Sequence, residues 1–160
     1  MKYQEKHIDL FTVNKHNQEP YCLAQCISQD MAMAGGIALE FNKHYNVKNR
    51  LTAKYKDKPV YVNSVLPLKE HSLGGEFVIF NLVTKAYVGD LPEYDALCCA
   101  LINMSLYMTE HNLTKLAIPK LGCGIDRLEW ERVKRIIKLV FEKLPIEVLV
   151  CIKEGASQNE

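Results

Sequence analysis

A lysine that directly follows a long apolar run is the first side chain in this sequence that could do chemistry. Residues 76–84 read EFVIFNLVT, which predicts a strand covered on both faces, and Lys85 comes at its end. At the rim of a strand-end cleft, an amine can act as a nucleophile. A lysine at the end of a strand is more often a solvated surface residue, so Lys85 alone leaves both interpretations open.

Two glycine-containing loops could bind an anion. Residues 33–38 read MAGGIA, and residues 119–130 read PKLGCGIDRLEW with Gly122 and Gly124 on either side of a cysteine. Glycines let the backbone approach a ligand closely, and the N–H groups at a helix start can face a phosphate. The first loop does not have the Rossmann or Walker A spacing. Its alternative is a tight connection between a strand and a helix.

Asp126, in the second loop, has a strong structural interpretation. Asp126 and Glu129 have the spacing of a capping box, and Ile125 and Trp130 have the spacing of a hydrophobic staple. This spacing favours Asp126 as the cap of the helix that follows. A functional role is compatible with capping, because a helix N-terminus stabilises the carboxylate that it holds.

Apolar periodicity predicts the elements that must position these residues. The alternation of strands and helices predicts an α/β fold, with a largely parallel sheet between helices and both glycine loops at strand ends. A turn at 71–75 indicates a hairpin, and the basic segment 48–58 is helix or loop. Strands are predicted over 8–13, 21–27, 60–66, 76–84, 115–119 and 146–152, and helices over 37–45, 92–112 and 130–143.

Length and charge bound the class of protein. The 160 residues suffice for one domain, predicted over 1–153 and followed by a flexible polar tail over 154–160. Twenty basic residues against 19 acidic ones give a net charge of +1, so no overall field attracts nucleic acid or a membrane surface. A local basic patch, or simply a solvated face, is formed by Lys48, Arg50, Lys54, Lys56 and Lys58.

Targeting and metal-binding signals are weak. No apolar run approaches the ~18 residues of a membrane span, and the N-terminal stretch lacks the apolar segment of a secretory signal. We therefore expect a cytoplasmic protein with no membrane partner, whose six cysteines are thiols. The cysteines form no Cys-x-x-Cys pair and have no histidine at ligand spacing, so no metal site is expected.

Four segments taken together resemble the macrodomain family, and specifically its terminal ADP-ribose protein glycohydrolase branch. The resemblance runs from about residue 8 to residue 152, and the bacterial DNA ADP-ribosyl glycohydrolase antitoxins are similar to the same branch. The stretch GCGIDRL at 122–128 is specific to this branch. The segments are 9–11 (DLF), 26–38 (CIS-x-D and MAGGIA), 83–94 (VTK and P-x-Y) and 119–130.

The resemblance implies a three-layer α/β/α macrodomain with a mixed, largely parallel sheet, and ADP-ribose as its ligand. It assigns Lys85 as the nucleophile that attacks the anomeric carbon of the distal ribose, and Asp126 as the group that assists proton transfer. No metal or cofactor is implied. The implied ligand-binding residues are Asp9 and Leu10 at the adenine, Ser28, Ala34, Gly35, Gly36 and Ile37 near the distal ribose and pyrophosphate, and Leu121, Gly122, Cys123, Gly124 and Ile125 around the phosphates.

The function implied by the resemblance is hydrolysis of the bond between the distal ribose and a modified acceptor. The acceptor is a protein carboxylate, a nucleobase or an O-acyl group, so the partners are ADP-ribosylated substrates, including ADP-ribosylated protein or DNA. Three alternatives stay open. They are a reader that binds ADP-ribose without turnover, a phosphatase acting on ADP-ribose 1″-phosphate, and a small α/β domain without a ligand.

Overall fold

The computed structural model describes residues 1–16, 19–124 and 126–153. The predicted tail at 154–160 lies outside the described residues, as does Ile125 with its proposed staple. In chain order the elements are β1 (Lys2–Lys6), a 3-10 helix (Leu10–Thr12), β2 (Cys22–Ser28), α1 (Ile37–Tyr45), α2 (Val47–Lys54), β3 (Val65–Ser72), β4 (Gly75–Lys85), α3 (Tyr94–Glu110), β5 (Lys115–Ile118), α4 (Trp130–Phe141) and β6 (Glu147–Cys151).

One six-stranded sheet runs through the described residues in the order β1-β6-β5-β2-β4-β3. All neighbouring strands are parallel except β3, which is antiparallel to β4. Helices α1 and α2 cover one face of the sheet, and α3 and α4 cover the other. The predicted three-layer α/β/α architecture with a mixed, largely parallel sheet is confirmed.

Strand β4 shows why apolar runs in this chain are strands rather than helices. Phe80 and Leu82 join the core under α3 and α4, whereas Ile79 and Val83 join the core under α1 and α2. Successive side chains of a strand point to opposite faces, so a strand covered on both faces must be apolar at nearly every position. Lys85 is therefore the last residue of a strand that is buried on both faces, and this burial fixes the position of its backbone.

The predicted strand over residues 8–13 is wrong. Leu10–Thr12 is a 3-10 helix, and the Asp9 carboxylate caps it by accepting a hydrogen bond from the Phe11 N–H at 2.9 Å. The first strand is instead Lys2–Lys6, which lies at the sheet edge and pairs in parallel with β6. Four of its five residues are exposed, so it has no apolar pattern from which to predict it.

The predicted hairpin is confirmed, but its first strand is displaced. We predicted this strand over 60–66, whereas β3 spans Val65–Ser72 and the turn narrows to residues 73–74. Because β3 is an edge strand, its second half is polar and reads like a loop. Val60 and Val62, which suggested a strand, instead pack against the core under α1 and α2.

The basic segment contains helix α2, with residues 55–58 in turns beyond its end. Asn46 separates α1 from α2 and has a left-handed φ of 53°, so it ends α1 at Tyr45, as expected for the predicted helix over 37–45. Arg50 does not contribute a free charge to a basic patch, because it donates to Glu70 at 2.6 Å.

No helix in the described part of the chain is long and apolar enough to cross a membrane.

Candidate active site

Lys85 and Asp126 form an ion pair, although they are 41 residues apart in sequence. Lys85 is the last residue of β4, and its Nζ donates to Asp126 Oδ1 at 2.6 Å. Both side chains are largely withdrawn from water, with 9% of Lys85 and 15% of Asp126 exposed. An ammonium group and a carboxylate in this geometry can exchange a proton directly.

The capping interpretation of Asp126 is wrong. Helix α4 begins at Trp130, its N-cap is Glu129, and no side chain caps it. Arg127 has a left-handed φ of 61°, and the Leu128 N–H donates to the Gly122 carbonyl at 2.8 Å, so the loop folds back on itself before the helix starts. Asp126 therefore lies too far upstream to cap α4, and its carboxylate is free to face Lys85.

The loop after β5 depends on Gly122. Its φ is +72°, and a Cβ placed there would lie 2.7 Å from Leu128 Cδ1. The Cys123 N–H donates to the Lys120 carbonyl at 3.1 Å, which tightens the turn. The thiol of Cys123 faces the Leu121 carbonyl at 3.3 Å rather than the cleft, and burial raises its pKa to about 11.

The loop after β2 is organised by Asp30, a residue that our sequence reasoning did not assign to the site. Its Oδ1 accepts from the Ser28 hydroxyl and from the Ala32 N–H, and its Oδ2 accepts from the Val88 N–H at 3.2 Å. The Ser28 hydrogen bond is the main cause that holds the pKa of Asp30 below its usual value. The Ser-x-Asp spacing, typical of side-chain turns, is the signal that could have identified it.

Gly36 is the N-cap of α1 and has a φ of 62° with a ψ of −143°, a conformation that favours glycine. Having no side chain, it leaves the first N–H groups of α1 without a side-chain cap. Backbone donors at a helix start attract anions, and Lys120 lines the same cleft. The cleft wall at this point therefore suits a phosphate.

Both loops and the ion pair line one cleft, which continues into a second cavity. The second cavity contains Asp9 and Leu10, and the two share Gly36, Ile37 and Pro119 as lining residues. Predicted site residues that line the first cavity are Ser28, Ala34, Gly35, Gly36, Ile37, Lys85, Leu121, Gly122, Gly124 and Asp126.

The second cavity lies at the other end of this groove. Its Asp9 is exposed, although one carboxylate oxygen is used to cap the 3-10 helix, and Leu10 is buried. Phe11, which our sequence reasoning did not assign to the site, also lines it and stacks on His44 with ring centroids 4.5 Å apart. Of the predicted residues, Cys123 does not line either cavity, and Ile125 lies outside the described residues.

The Cys26 thiol near the ion pair is not poised to react. Burial is the main cause that raises the pKa of Cys26 far above its usual value, and the nearby Asp126 carboxylate adds to this effect.

Over residues 1–16, 19–124 and 126–153, no group of three or more His, Cys, Asp or Glu side chains is placed to hold a metal ion.

Comparison with known sequences gives a consistent assignment. A family model described as the Macro domain matches residues 24–137. The chain is 34% identical over 142 residues to the ADP-ribose glycohydrolase OARD1 of Homo sapiens, covering 89% of this chain and 86% of that protein. It is 26% identical over 128 residues to the DNA ADP-ribosyl glycohydrolase of Mycobacterium tuberculosis, covering 79% of this chain and 36% of that protein.

Solved structures agree on the fold. The macrodomain of Mycobacterium tuberculosis DarG matches with a TM-score of 0.82 at 22% identity, covering 93% of this chain and 96% of that one. Thermosipho africanus DarTG in complex with ADP-ribose matches with a TM-score of 0.79 at 19% identity, covering 93% of this chain and 41% of that one. With its sheet order, its two glycine loops and these similarities, the chain belongs to the macrodomain family.

Proposed function

We propose that this protein binds ADP-ribose along the groove that the cleft and the second cavity form together, and that it hydrolyses the bond between the distal ribose and a modified acceptor. The observation that carries the proposal is the Lys85–Asp126 pair, 2.6 Å apart, in the cleft bordered by both glycine loops. A relative at 34% identity is named an ADP-ribose glycohydrolase, which supports the same activity.

The proposed orientation follows from the ends of the groove. The adenine lies at Asp9 and Leu10, and the distal ribose lies beside Lys85. The pyrophosphate lies between them, where the start of α1 and the loop around Gly122 offer backbone N–H groups. The predicted phosphate contacts of Cys123 and Ile125 stay predictions, since the Cys123 N–H already donates to the Lys120 carbonyl and Ile125 lies outside the described residues.

Lys85 is the proposed nucleophile, and Asp126 is the proposed base. Asp126 accepts a proton from the Lys85 ammonium, and the free amine attacks C1″ of the distal ribose. A C–N bond forms, the C1″–O bond to the acceptor breaks, and the acceptor carboxylate leaves with the electron pair. The sugar ring then opens to an iminium ion. Addition of water breaks the C–N bond, releases ADP-ribose and returns the amine to Lys85.

The test compares wild type with Lys85→Ala and Asp126→Asn on a peptide that carries ADP-ribose on a glutamate. We expect each substitution to lower the rate of ADP-ribose release by at least about 100-fold, because a positioned proton-transfer group usually accelerates a reaction by that factor or more. Lys69→Ala is the matched control, because Lys69 is exposed in β3 and does not line the cleft. Equal release by wild type and Lys85→Ala refutes the mechanism.

A second readout tests the covalent step directly. Cyanoborohydride reduces an iminium ion, so wild type should gain the mass of one ADP-ribosyl group on Lys85, whereas Lys85→Ala should gain none. Calorimetry with ADP-ribose separates binding from turnover in each variant. Tight binding without release from protein, DNA or O-acyl substrates identifies a reader, and phosphate release from ADP-ribose 1″-phosphate identifies a phosphatase.

A further inference from the structure

A hydrogen bond between the start of α3 and the start of α4 joins the same two connections as the Lys85–Asp126 pair. The backbone N–H of Glu129 donates to the phenol oxygen of Tyr94 at 2.9 Å. Tyr94 is the first residue of α3, and Glu129 is the N-cap of α4. Tyr94 lines neither the cleft nor the second cavity, so it does not contact the proposed ligand.

Two bridges therefore hold the connection between β4 and α3 to the connection between β5 and α4. One is the ion pair of Lys85 with Asp126 at 2.6 Å, and the other is the bond between Tyr94 and Glu129. Asp126 and Glu129 are three residues apart, a length of chain that spans at most about 11 Å. A displacement of Glu129 is therefore passed to Asp126 through a short segment.

Hydrogen bonds within the second connection fix its shape but not its place. The Arg127 N–H donates to the Gly124 carbonyl at 3.1 Å, and the Leu128 N–H donates to the Gly122 carbonyl at 2.8 Å. Because both bonds close inside the segment, its position relative to β4 depends on contacts with other elements. Leu128 supplies packing against the core, and Tyr94 supplies a directional bond at the end next to α4.

The Tyr94 side chain is itself held from two sides. Its ring packs against the core under α3 and α4, and the guanidinium carbon of Arg132 lies 3.8 Å from the ring centroid. A cation over an aromatic face is attracted by the electrons of the ring. Helix α4 has no side-chain cap of its own at Glu129, so the phenol oxygen supplies an acceptor that the start of the helix lacks.

Building on the proposed function, we infer that Tyr94 is a positioning residue for Asp126. Its hydroxyl holds the segment that carries Asp126 at the distance from Lys85 at which a proton can pass between the two side chains. A proton-transfer group has to lie within about 2.6–3.2 Å of its partner atom, and the observed 2.6 Å meets this condition. A misplacement of about 1 Å can lower a rate by about 100-fold.

The test replaces Tyr94 by phenylalanine, which removes the hydroxyl and keeps the ring beneath Arg132. Tyr107→Phe is the matched control, because Tyr107 lies on the same helix, packs its ring on Phe80 and lines neither the cleft nor the second cavity. The substrate is a peptide that carries ADP-ribose on a glutamate. The readouts are kcat, KM, the calorimetric affinity for ADP-ribose, and Tm.

In Tyr94→Phe we expect kcat to fall about tenfold, less than the loss from a full 1 Å displacement because the packing of Leu128 remains. KM and the affinity for ADP-ribose should stay within about twofold of wild type, since the ligand contacts are unchanged. Tm should fall by no more than about 4 °C, because a single hydrogen bond is lost. Tyr107→Phe should keep the wild-type kcat.

A double-mutant cycle tests whether Tyr94 acts through Asp126. In the Asp126→Asn background, Tyr94→Phe should change kcat by less than about twofold, because the group that it positions has already lost its function. A tenfold loss in that background refutes the inference, as does a loss of ADP-ribose affinity that equals the loss of kcat/KM.

The outcomes separate this inference from the proposed function. Wild-type kcat in Tyr94→Phe refutes the positioning role and leaves the proposed function in place. Absence of ADP-ribose release by the wild-type protein refutes the proposed function, and the inference with it.

Discussion

Replacing Gly122 by alanine tests whether the loop after β5 must have its observed shape. The φ of Gly122 is +72°, and the new Cβ would lie 2.7 Å from Leu128 Cδ1 and 3.3 Å from Leu128 Cγ. Leu128 cannot simply move away, because its N–H is bonded to the Gly122 carbonyl at 2.8 Å. Its side chain must rotate instead and lose its packing against the core under α3 and α4.

Two costs add in this variant. A left-handed conformation costs a residue with a Cβ about 1–2 kcal/mol, and forcing a packed side chain out of place costs about 1–3 kcal/mol. We expect the free energy of unfolding to fall by roughly 2–5 kcal/mol, which lowers Tm by about 4–20 °C in a chain of this size. The affinity for ADP-ribose should fall as well, since the displaced backbone is the proposed phosphate cradle.

Two other glycines serve as controls in the same calorimetric and denaturation assays. Gly89→Ala meets nothing within 4 Å, so it should leave both Tm and affinity unchanged. The new Cβ in Gly75→Ala also meets nothing within 4 Å, but a φ of +127° is unfavourable for alanine. This variant therefore has the conformational cost without a close contact, at a position that does not line the cleft. It should lower Tm and leave the affinity for ADP-ribose intact. Wild-type Tm and affinity in Gly122→Ala would refute this reasoning.

A double-mutant cycle isolates the contact with Leu128. In the Leu128→Ala background the new Cβ has no Cδ1 to meet, so Gly122→Ala should cost about 1 kcal/mol less than it does in wild type. Strictly additive losses would show that the backbone conformation alone, and not the close contact, accounts for the cost.

Three further predictions concern single residues. Replacing Asp30 by asparagine should lower Tm at neutral pH, because the carboxylate oxygen that accepts from the Val88 N–H is lost. The pKa of Asp30 is lowered in the folded protein, so its carboxylate stabilises the fold fully above about pH 4. The difference in Tm between wild type and Asp30→Asn should therefore disappear as the pH falls below this value. Asn46→Val should cost about 1–2 kcal/mol at its left-handed φ, whereas Asn46→Gly should be nearly neutral, as measured by urea denaturation. Iodoacetamide at pH 8 should modify exposed Cys99 well before Cys123, whose pKa is raised to about 11 by burial, and equal labelling rates by mass spectrometry would contradict this.

The elements that local pattern predicts well are those with a buried face. Leu97, Leu101, Met104 and Met108 recur at helical spacing and are all buried in α3, since one side of that helix faces the sheet. The strand Lys2–Lys6 offers no such pattern because four of its five residues are exposed to water. It is a strand only because β6 provides a free edge with which its backbone can pair.

The candidate site divides in the same way. The glycine loops could be predicted because glycine at a strand-to-helix connection is a local signal. The spacing around Asp126 favoured a helix cap, which is also a local interaction, and that interpretation failed because the chain folds back through Leu128 before α4 begins. The chemistry of the carboxylate depends on a partner 41 residues away.

Only the folded sheet brings that partner into reach. Strands β4 and β5 both pair in parallel with β2, so their carboxyl ends open on the same edge of the sheet. Lys85 ends β4, and the loop that carries Asp126 leaves β5, so the two side chains converge across the end of β2. Residue types and short spacings are properties of the sequence, whereas this convergence depends on which strands lie side by side, and strand order is decided by burial of the whole core.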